Sequence, residues 1–400
     1  MSYISDKNNE LSILSKYCNK EQEFNFTDSN DFLSAKEKLI KEMKFFNFDK
    51  YYHELTNRTS FNINNEKMKY SYTYERFNGW LDVNGFVEEF YGYKGFQYKH
   101  FFTNCGMSAI AALMTSIISY NNIKVDLMYS ETYFETIKFI MNLTKEVEHE
   151  ASALYIDSIA SDFSFDITDA LLTKYDYIII DTTCYLPNSY SSLINKIVKQ
   201  LNKPCILIRS HTKLDMAGTE YSHLGSVTFL YNNVVDTKEY DKVVDDCKHI
   251  IGVIGACLPP EKFPQFMIDE QFVELNKKRL SRIEENAAYM ASLFKEKGIN
   301  INVPNHKQFC LYNFINKNLD LSIMKEKIIS FCGENNNIGI YHVVSFGFDF
   351  VAIDGYENFH DKQFKIRISL SDFPKELIEQ ISYKIIKFIK NLETWGKEND

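Results

Sequence analysis

Residues 176–213 read DYIIIDTTCYLPNSYSSLINKIVKQLNKPCILIRSHTK. Two unbroken apolar runs, 177–180 and 205–208, flank SSLINKIVKQLN, whose apolar positions recur at helical spacing. A strand that is apolar at every position has no solvent face, so it belongs to a sheet covered on both sides, and a helix between two such strands is the usual crossover of parallel pairing. The alternation extends outward. Upstream, AIAALMTSII (109–118) has helical spacing, VDLMY (125–129) reads as a strand, ETIKFIMNLT (135–144) as a helix and SALYI (152–156) as a strand. Downstream, SVTFLY (226–231) is a further strand. The pattern predicts an α/β fold with a large, mostly parallel sheet.

At 400 residues the chain exceeds the size at which one core stops growing, roughly 250–300 residues, so a second lobe is expected. Residues 267–297 keep helical periodicity for about thirty positions, long enough to run from one lobe to the next. Beyond them lie strand-like FCLYNFI (309–315) and FKIRISL (364–370) and a closing helix over 374–393, with Pro374 just inside its start. Residues 1–75 are polar, with one helical stretch at 34–46. The expected organisation is an N-terminal arm (1–75), a large domain (76–268), and a connecting helix with a smaller α+β C-terminal domain (269–400).

The 45 Lys and Arg against 54 Asp and Glu leave a net charge of −9, which supplies no broad basic surface for a phosphate backbone; nucleic acid is not an expected partner. The opening MSYISDKNNE lacks the cationic start and apolar core of a secretory signal, and no apolar run approaches the ~20 residues of a membrane helix, so a cytoplasmic protein without membrane partners is expected. Eight cysteines without a Cys-x-x-Cys pair argue against a disulfide framework or a zinc site.

In an open parallel sheet ligands gather beyond the carboxyl ends of the strands. One strand closes on Asp181. The next closes on Arg209-Ser210-His211-Thr212-Lys213, a lysine among hydroxyls. Asn104-Cys105-Gly106-Met107-Ser108 precedes a helix, which leaves free amide N–H groups and a glycine that lets an anion come close. An amine, a carboxylate and an anion cradle together describe a site for pyridoxal 5'-phosphate (PLP): the aldehyde needs an amine, the pyridine nitrogen a carboxylate, and the phosphate amides and hydroxyls.

These residues resemble the fold-type I PLP enzymes, and within them the cysteine/methionine-metabolism group: cystathionine γ-synthase, the cystathionine lyases and methionine γ-lyase. Ser210-x-Thr212-Lys213 is similar to that group's Ser-x-Thr-Lys, which implies Lys213 as the Schiff-base lysine and Ser210 and Thr212 on the phosphate. Cys105-Gly106-Met107-Ser108-Ala109-Ile110 resembles its phosphate turn, and Tyr129-Ser130-Glu131-Thr132-Tyr133 its Tyr-Gly-Gly-Thr-Tyr, giving Tyr129 a stacking and acid–base role. Asp181-Thr182-Thr183 is similar to Asp-Asn-Thr, with Asp181 on the ring nitrogen and Thr183 at the cofactor. Tyr74-Glu75-Arg76-Phe77 resembles the element that reaches a neighbouring subunit's phosphate, so Tyr74 and Arg76 imply a homo-oligomer, dimer or tetramer, whose copies complete each other's sites. Ser345-Phe346-Gly347 and Arg367 fall where the group binds its substrate, Arg367 gripping the α-carboxylate. Arg282 with Asn286-Ala287 echoes the long connecting helix.

The likeness spans about residues 70–372. It departs at Asp157-Ser158-Ile159-Ala160-Ser161-Asp162, where the group carries an asparagine for the ring hydroxyl and Ser161 is the available substitute. Read alone, each residue has a plainer explanation: Asp181 as a turn cap, Tyr129 as one of 26 tyrosines, Arg367 as half of an ion pair, His211 as packing. The resemblance implies a lyase or transferase that abstracts an amino acid's α-proton and then eliminates or replaces a group on Cβ or Cγ. An aminotransferase of the same fold is the first alternative, and a non-catalytic PLP-fold binding protein the second.

Overall fold

The structure is a computed structural model that describes residues 3–18, 23–26, 29–55, 61–64, 68–72, 80–92, 95–128, 133–143, 151–158, 167–186, 189, 191–232, 238–314, 320–357 and 363–398. In chain order the principal elements are α1 (Tyr3–Ser15), α2 (Ser29–Leu55), β1 (Phe61–Asn64), β2 (Met68–Tyr72), β3 (Trp80–Val83), β4 (Gln97–Thr103), α3 (Gly106–Met114), β5 (Ile123–Leu127), α4 (Phe134–Leu143), β6 (Ala151–Asp157), β7 (Tyr177–Asp181), β8 (Cys205–Ser210), β9 (Gly225–Tyr231), α5 (Lys238–Val253), α6 (Glu270–Glu296), β10 (Phe309–Asn313), α7 (Leu321–Asn335), β11 (Ile340–His342), β12 (Val351–Glu357), β13 (Phe364–Ser369) and α8 (Lys375–Glu398).

The large sheet has the order β4-β9-β8-β7-β6-β5, with β5 to β8 parallel. Its central strands β7, β8 and β9 are buried on both faces, as their unbroken apolar runs require. Ile178, Ile180, Cys205 and Leu207 enter one core, while Tyr177, Ile179, Ile206 and Ile208 enter the other. The alternation comes from the pleat, which sends successive side chains to opposite faces. Strand β9 runs against β8. Only one turn of helix (His211–Leu214) stands between them, and Ser210 pairs with Gly225, so the chain returns at the end where it left. The run SVTFLY identified the strand but not its direction.

The smaller sheet, β10-β13-β12-β11, carries the C-terminal core together with α6, α7 and α8. Helix α6 begins where the side chain of Asp269 accepts the N–H groups of Gln271 and Phe272 at 2.8 and 3.2 Å, an N-cap that fixes the start of the connecting helix. The mixed architecture, a large mostly parallel sheet with a smaller C-terminal sheet, is the α/β fold class expected.

The N-terminal segment is more ordered than its composition suggests. The helix expected at 34–46 is the middle of the longer α2, and α1 precedes it. Leu11, Leu14, Phe32, Leu39 and Met43 join the core beneath the large sheet of their own chain. Among the described residues no helix is long and apolar enough to cross a membrane. Seven of the eight cysteines are buried.

Candidate functional site

Lys213 sits on the turn of helix that follows β8, and the residues around it are clamped. Arg209, fully buried, donates to both carboxylate oxygens of Asp215 at 2.6 and 2.7 Å and to the Tyr185 carbonyl at 3.0 Å. The His211 ring lies 2.8 Å from the same carboxylate and 2.8 Å from Ser226 Oγ. Asp215 therefore closes a short loop around the lysine, and two buried charges satisfy each other inside it. The Asp215–His211–Ser226 sequence has the connectivity of a hydrolytic triad, but all three are buried and serve as framework.

Lys213 Nζ donates to Ser345 Oγ at 2.6 Å, a bond between the two lobes. The turn that delivers Ser345 needs glycine: Gly347 has φ of +90°, and a Cβ there would lie 1.9 Å from the Lys213 carbonyl oxygen. Burial pushes the Lys213 ammonium below its ordinary value; Glu220 opposes this, Arg367 adds to it, and Cys184 and Glu135 oppose it again.

On the neighbouring strand end Asp181 is buried and accepts the Thr183 N–H at 2.8 Å, with the Tyr155 hydroxyl at 3.5 Å. Burial raises it above the usual carboxylate range, against hydrogen bonds from Thr183 and the charge of Arg209. Asp157 stands beside it, paired in register on β6, with the Tyr133 N–H donating to it at 2.7 Å. Two buried carboxylates thus stand side by side at adjoining strand ends. The strand-end rule that selects Asp181 selects Asp157 equally, but the sequence reading treated Asp157 only as part of a divergent motif.

Helix α3 starts at the same edge. Cys105 caps it, its sulfur accepting the Ser108 N–H at 3.3 Å. A Cβ on Gly106 would come within 2.7 Å of Ser210 Cβ, and one on Gly225 within 2.3 Å of the Cys105 carbonyl oxygen. Two glycines therefore let α3, β8 and β9 meet with Gly106, Met107 and Ser210 side by side. Thr183 Oγ1 accepts the Ser210 N–H at 3.0 Å, tying the Asp181 strand end to this cradle. The Thr212 hydroxyl is engaged by the backbone of its own loop, accepting from Leu224 N–H at 3.2 Å and donating to the Ser222 carbonyl at 3.4 Å.

Arg367 on β13 reaches in from the C-terminal sheet. Its Nη2 is 3.6 Å from an Asp354 oxygen, and its guanidinium lies over the Phe309 ring at 5.8 Å. Among the described residues its Nε and Nη2 are buried without a hydrogen-bond partner. An orphaned guanidinium edge suits a carboxylate ligand.

Of the residues expected from sequence, Lys213, Ser345, Asp181, Thr183, Ser210, Cys105, Gly106 and Met107 lie at adjoining strand and helix ends, and Arg367 is near enough to Lys213 to shift its titration. Tyr129, Ser161, Tyr74 and Arg76 lie outside the described residues. Arg209 and Asp215 were not anticipated; only a charged pair six residues apart around a strand end hinted at them.

No family model matches the sequence, nor does any curated protein. Solved structures do resemble the fold. An 8-amino-7-oxononanoate synthase from Francisella tularensis superposes with a TM-score of 0.54 at 12% identity, over 88% of this chain and 93% of that one. A serine palmitoyltransferase from S. paucimobilis, with a bound PLP–myriocin aldimine, gives 0.53 at 11% over 77% and 75%. A Sphingomonas wittichii serine palmitoyltransferase gives 0.50 at 10% over 76% and 74%. These are a synthase and two palmitoyltransferases, not members of the cysteine/methionine group whose motifs the sequence resembles. At such identities the likeness establishes architecture alone: the chain has the fold of the fold-type I PLP-dependent transferases.

Proposed function

We propose that the chain is a PLP-dependent enzyme acting at the α-carbon of an amino acid. The observation that carries this reading is the amine of Lys213, withdrawn from water at the end of a sheet strand and held across the lobe boundary by Ser345. The surrounding donors fit the cofactor. Lys213 would hold its aldehyde carbon, Asp181 its ring nitrogen, and the amides of Gly106 and Met107 with Ser210 its phosphate. The bound cofactor supplies an electron sink for charge developing at the substrate's α-carbon.

The remaining work falls to the chain. Arg367 binds the substrate carboxylate with its unpartnered N–H edge, which fixes the amino acid's orientation. Lys213, its ammonium destabilised by burial, takes the α-proton and returns it elsewhere. Asp181 keeps negative charge beside the ring nitrogen. In the finer form of the proposal the proton goes toward Cβ, a group on Cβ or Cγ is eliminated or replaced, and Tyr129 assists its departure. A second copy of the chain would bring Tyr74 and Arg76 to the phosphate. The named activities of the structural neighbours favour a second reading, acyl transfer to the amino acid. Product analysis separates the two: elimination releases ammonia and an oxo acid from the amino acid alone, whereas acyl transfer requires a donor.

The test begins with PLP added to the purified chain. The expected result is an absorbance band near the visible edge that borohydride fixes as a label on Lys213, with band, label and turnover all lost in Lys213→Ala. A label on another lysine, or turnover that survives the substitution, would overturn the reading.

A further inference from the structure

The strongest concentration of buried charge lies outside the cleft. Lys7 and Lys36 from the N-terminal helices, Arg279 from α6, and Glu10, Asp349 and Asp372 are all almost fully buried. Lys7 contacts Asp349, Asp372 and Glu10 at 2.8, 3.1 and 3.2 Å, and Lys36 pairs with Asp349 and Glu10. Three cations meet three anions. Burial alone would raise the Asp349 carboxyl, but Lys36, then Lys7 and Arg279, hold it far below the usual range.

This cluster is attached both to the loop that follows Lys213 and to the turn that carries its partner Ser345. On the downstream side, Lys36 Nζ donates to the Ala217 carbonyl at 2.5 Å, and Lys44 on the same helix to the Glu220 carbonyl at 3.3 Å. That loop is strained: Ala217 and Glu220 hold φ of +47° and +43°, positions that cost non-glycine residues energy. On the opposite side, Asp349 ends the turn that begins at Ser345. Its carboxylate presses on the downstream loop, because a Cβ on Gly218 would lie 2.8 Å from it. Arg279 donates to the carbonyls of Gly347 and Phe348 at 2.9 and 2.8 Å, and Asn276, one turn earlier, to the Leu214 carbonyl at 3.0 Å.

We propose that Lys36 is a positioning residue for Lys213: from helix α2 of the same chain it ties the loop at 217–220 to the turn at 345–349, so that the half-buried amine between them is held partly out of water and aimed at Ser345. The assignment rests on Lys213 being the reacting amine. Of the groups that shift that amine's titration, Arg367, Cys184 and Glu135 lie outside the charge cluster and Glu220 belongs to the braced loop itself, so a response at Lys213 passes through the loops.

The test uses the full chain without PLP and reads the pH profile of reductive methylation by formaldehyde and cyanoborohydride, lysine by lysine, by peptide mass spectrometry. The double substitution Lys36→Met, Glu10→Gln removes one charge of each sign and leaves Lys7 and Arg279 facing Asp349 and Asp372. The expected result is a Lys213 midpoint that rises toward the ordinary lysine value by about half a pH unit or more as water enters. Lys203, also depressed by burial but set elsewhere, should not move. An unmoved Lys213, or equal shifts in both lysines, would overturn the proposal. Should the variant not fold, native-state hydrogen exchange on the unaltered chain decides. Residues 32–43, 214–220 and 345–349 should open as one unit, and protection of 214–220 that persists after α2 has opened would refute the brace. Because the cofactor is absent, these outcomes are independent of whether PLP binds.

Discussion

Arg367 is the residue at which chemistry and stability part company. Asp354 and Phe309 offset part of its charge, yet among the described residues its buried Nε and Nη2 groups lack a hydrogen-bond acceptor, which a carboxylate ligand would supply. Hydrogen bonds to a charged group contribute about 1.5–3 kcal/mol, so Arg367→Ala should raise KM for the amino acid by roughly 10- to 100-fold. The borohydride label on Lys213 should remain. A KM within twofold of the parent's would remove Arg367 from the substrate site. In the sequence this residue stands out through the family resemblance, which implies a grip on the substrate carboxylate. Asp157 is less legible, because its pairing beside Asp181 is set by the register of two strands and not by any local pattern.

Among the elements, the turn at 345–349 depends most on a single atom. Any Cβ at Gly347 would overlap the Lys213 carbonyl, so Gly347→Ala must drive the turn away from the lysine. Overpacking of this kind costs about 1–3 kcal/mol, and the lost Ser345 contact should return Lys213 toward ordinary titration. A lowered melting temperature together with weakened PLP binding is expected; a variant that binds PLP with unchanged affinity would dissociate the turn from the site. Elements made by one strong local signal were legible in the sequence: the apolar runs of β6, β7, β8 and β9, the long period of α6, and the cap of α8. Those made by tertiary contact were not. Helix α1 buries Leu11 and Leu14 beside the charged Lys7 and Glu10, β11 and β12 form by pairing, and the direction of β9 is set by register with β8.

For the molecule as a whole, the buried histidines set the acid limit. Burial drives His100 and His306 down to about 3 in the folded chain, against an ordinary value near 6.5. Between those values the unfolded chain binds more protons than the folded one, so stability falls as pH drops through that window. The lowered carboxylates, Asp215 and Asp349, act later: their stabilisation is complete above about pH 4 and is lost below it, while Asp181, shifted upward, works in the opposite sense. Melting temperature should therefore decline from pH 7 toward pH 4. His306→Asn, which keeps an acceptor for the Gln308 N–H, should flatten that slope, and an identical slope would assign the acid sensitivity elsewhere.

The hydrogen bond from Lys213 to Ser345 joins positions 132 residues apart. On a ribosome adding about 5–20 residues per second, about 7 to 26 seconds separate the emergence of the two partners. Throughout that interval the nascent amine is an ordinary solvated lysine, protonated and indifferent to passing aldehydes. On the reading proposed above, the setting that makes this amine reactive would be complete only after Ser345 has been made, so synthesis order would keep unfinished chains from sequestering the vitamin.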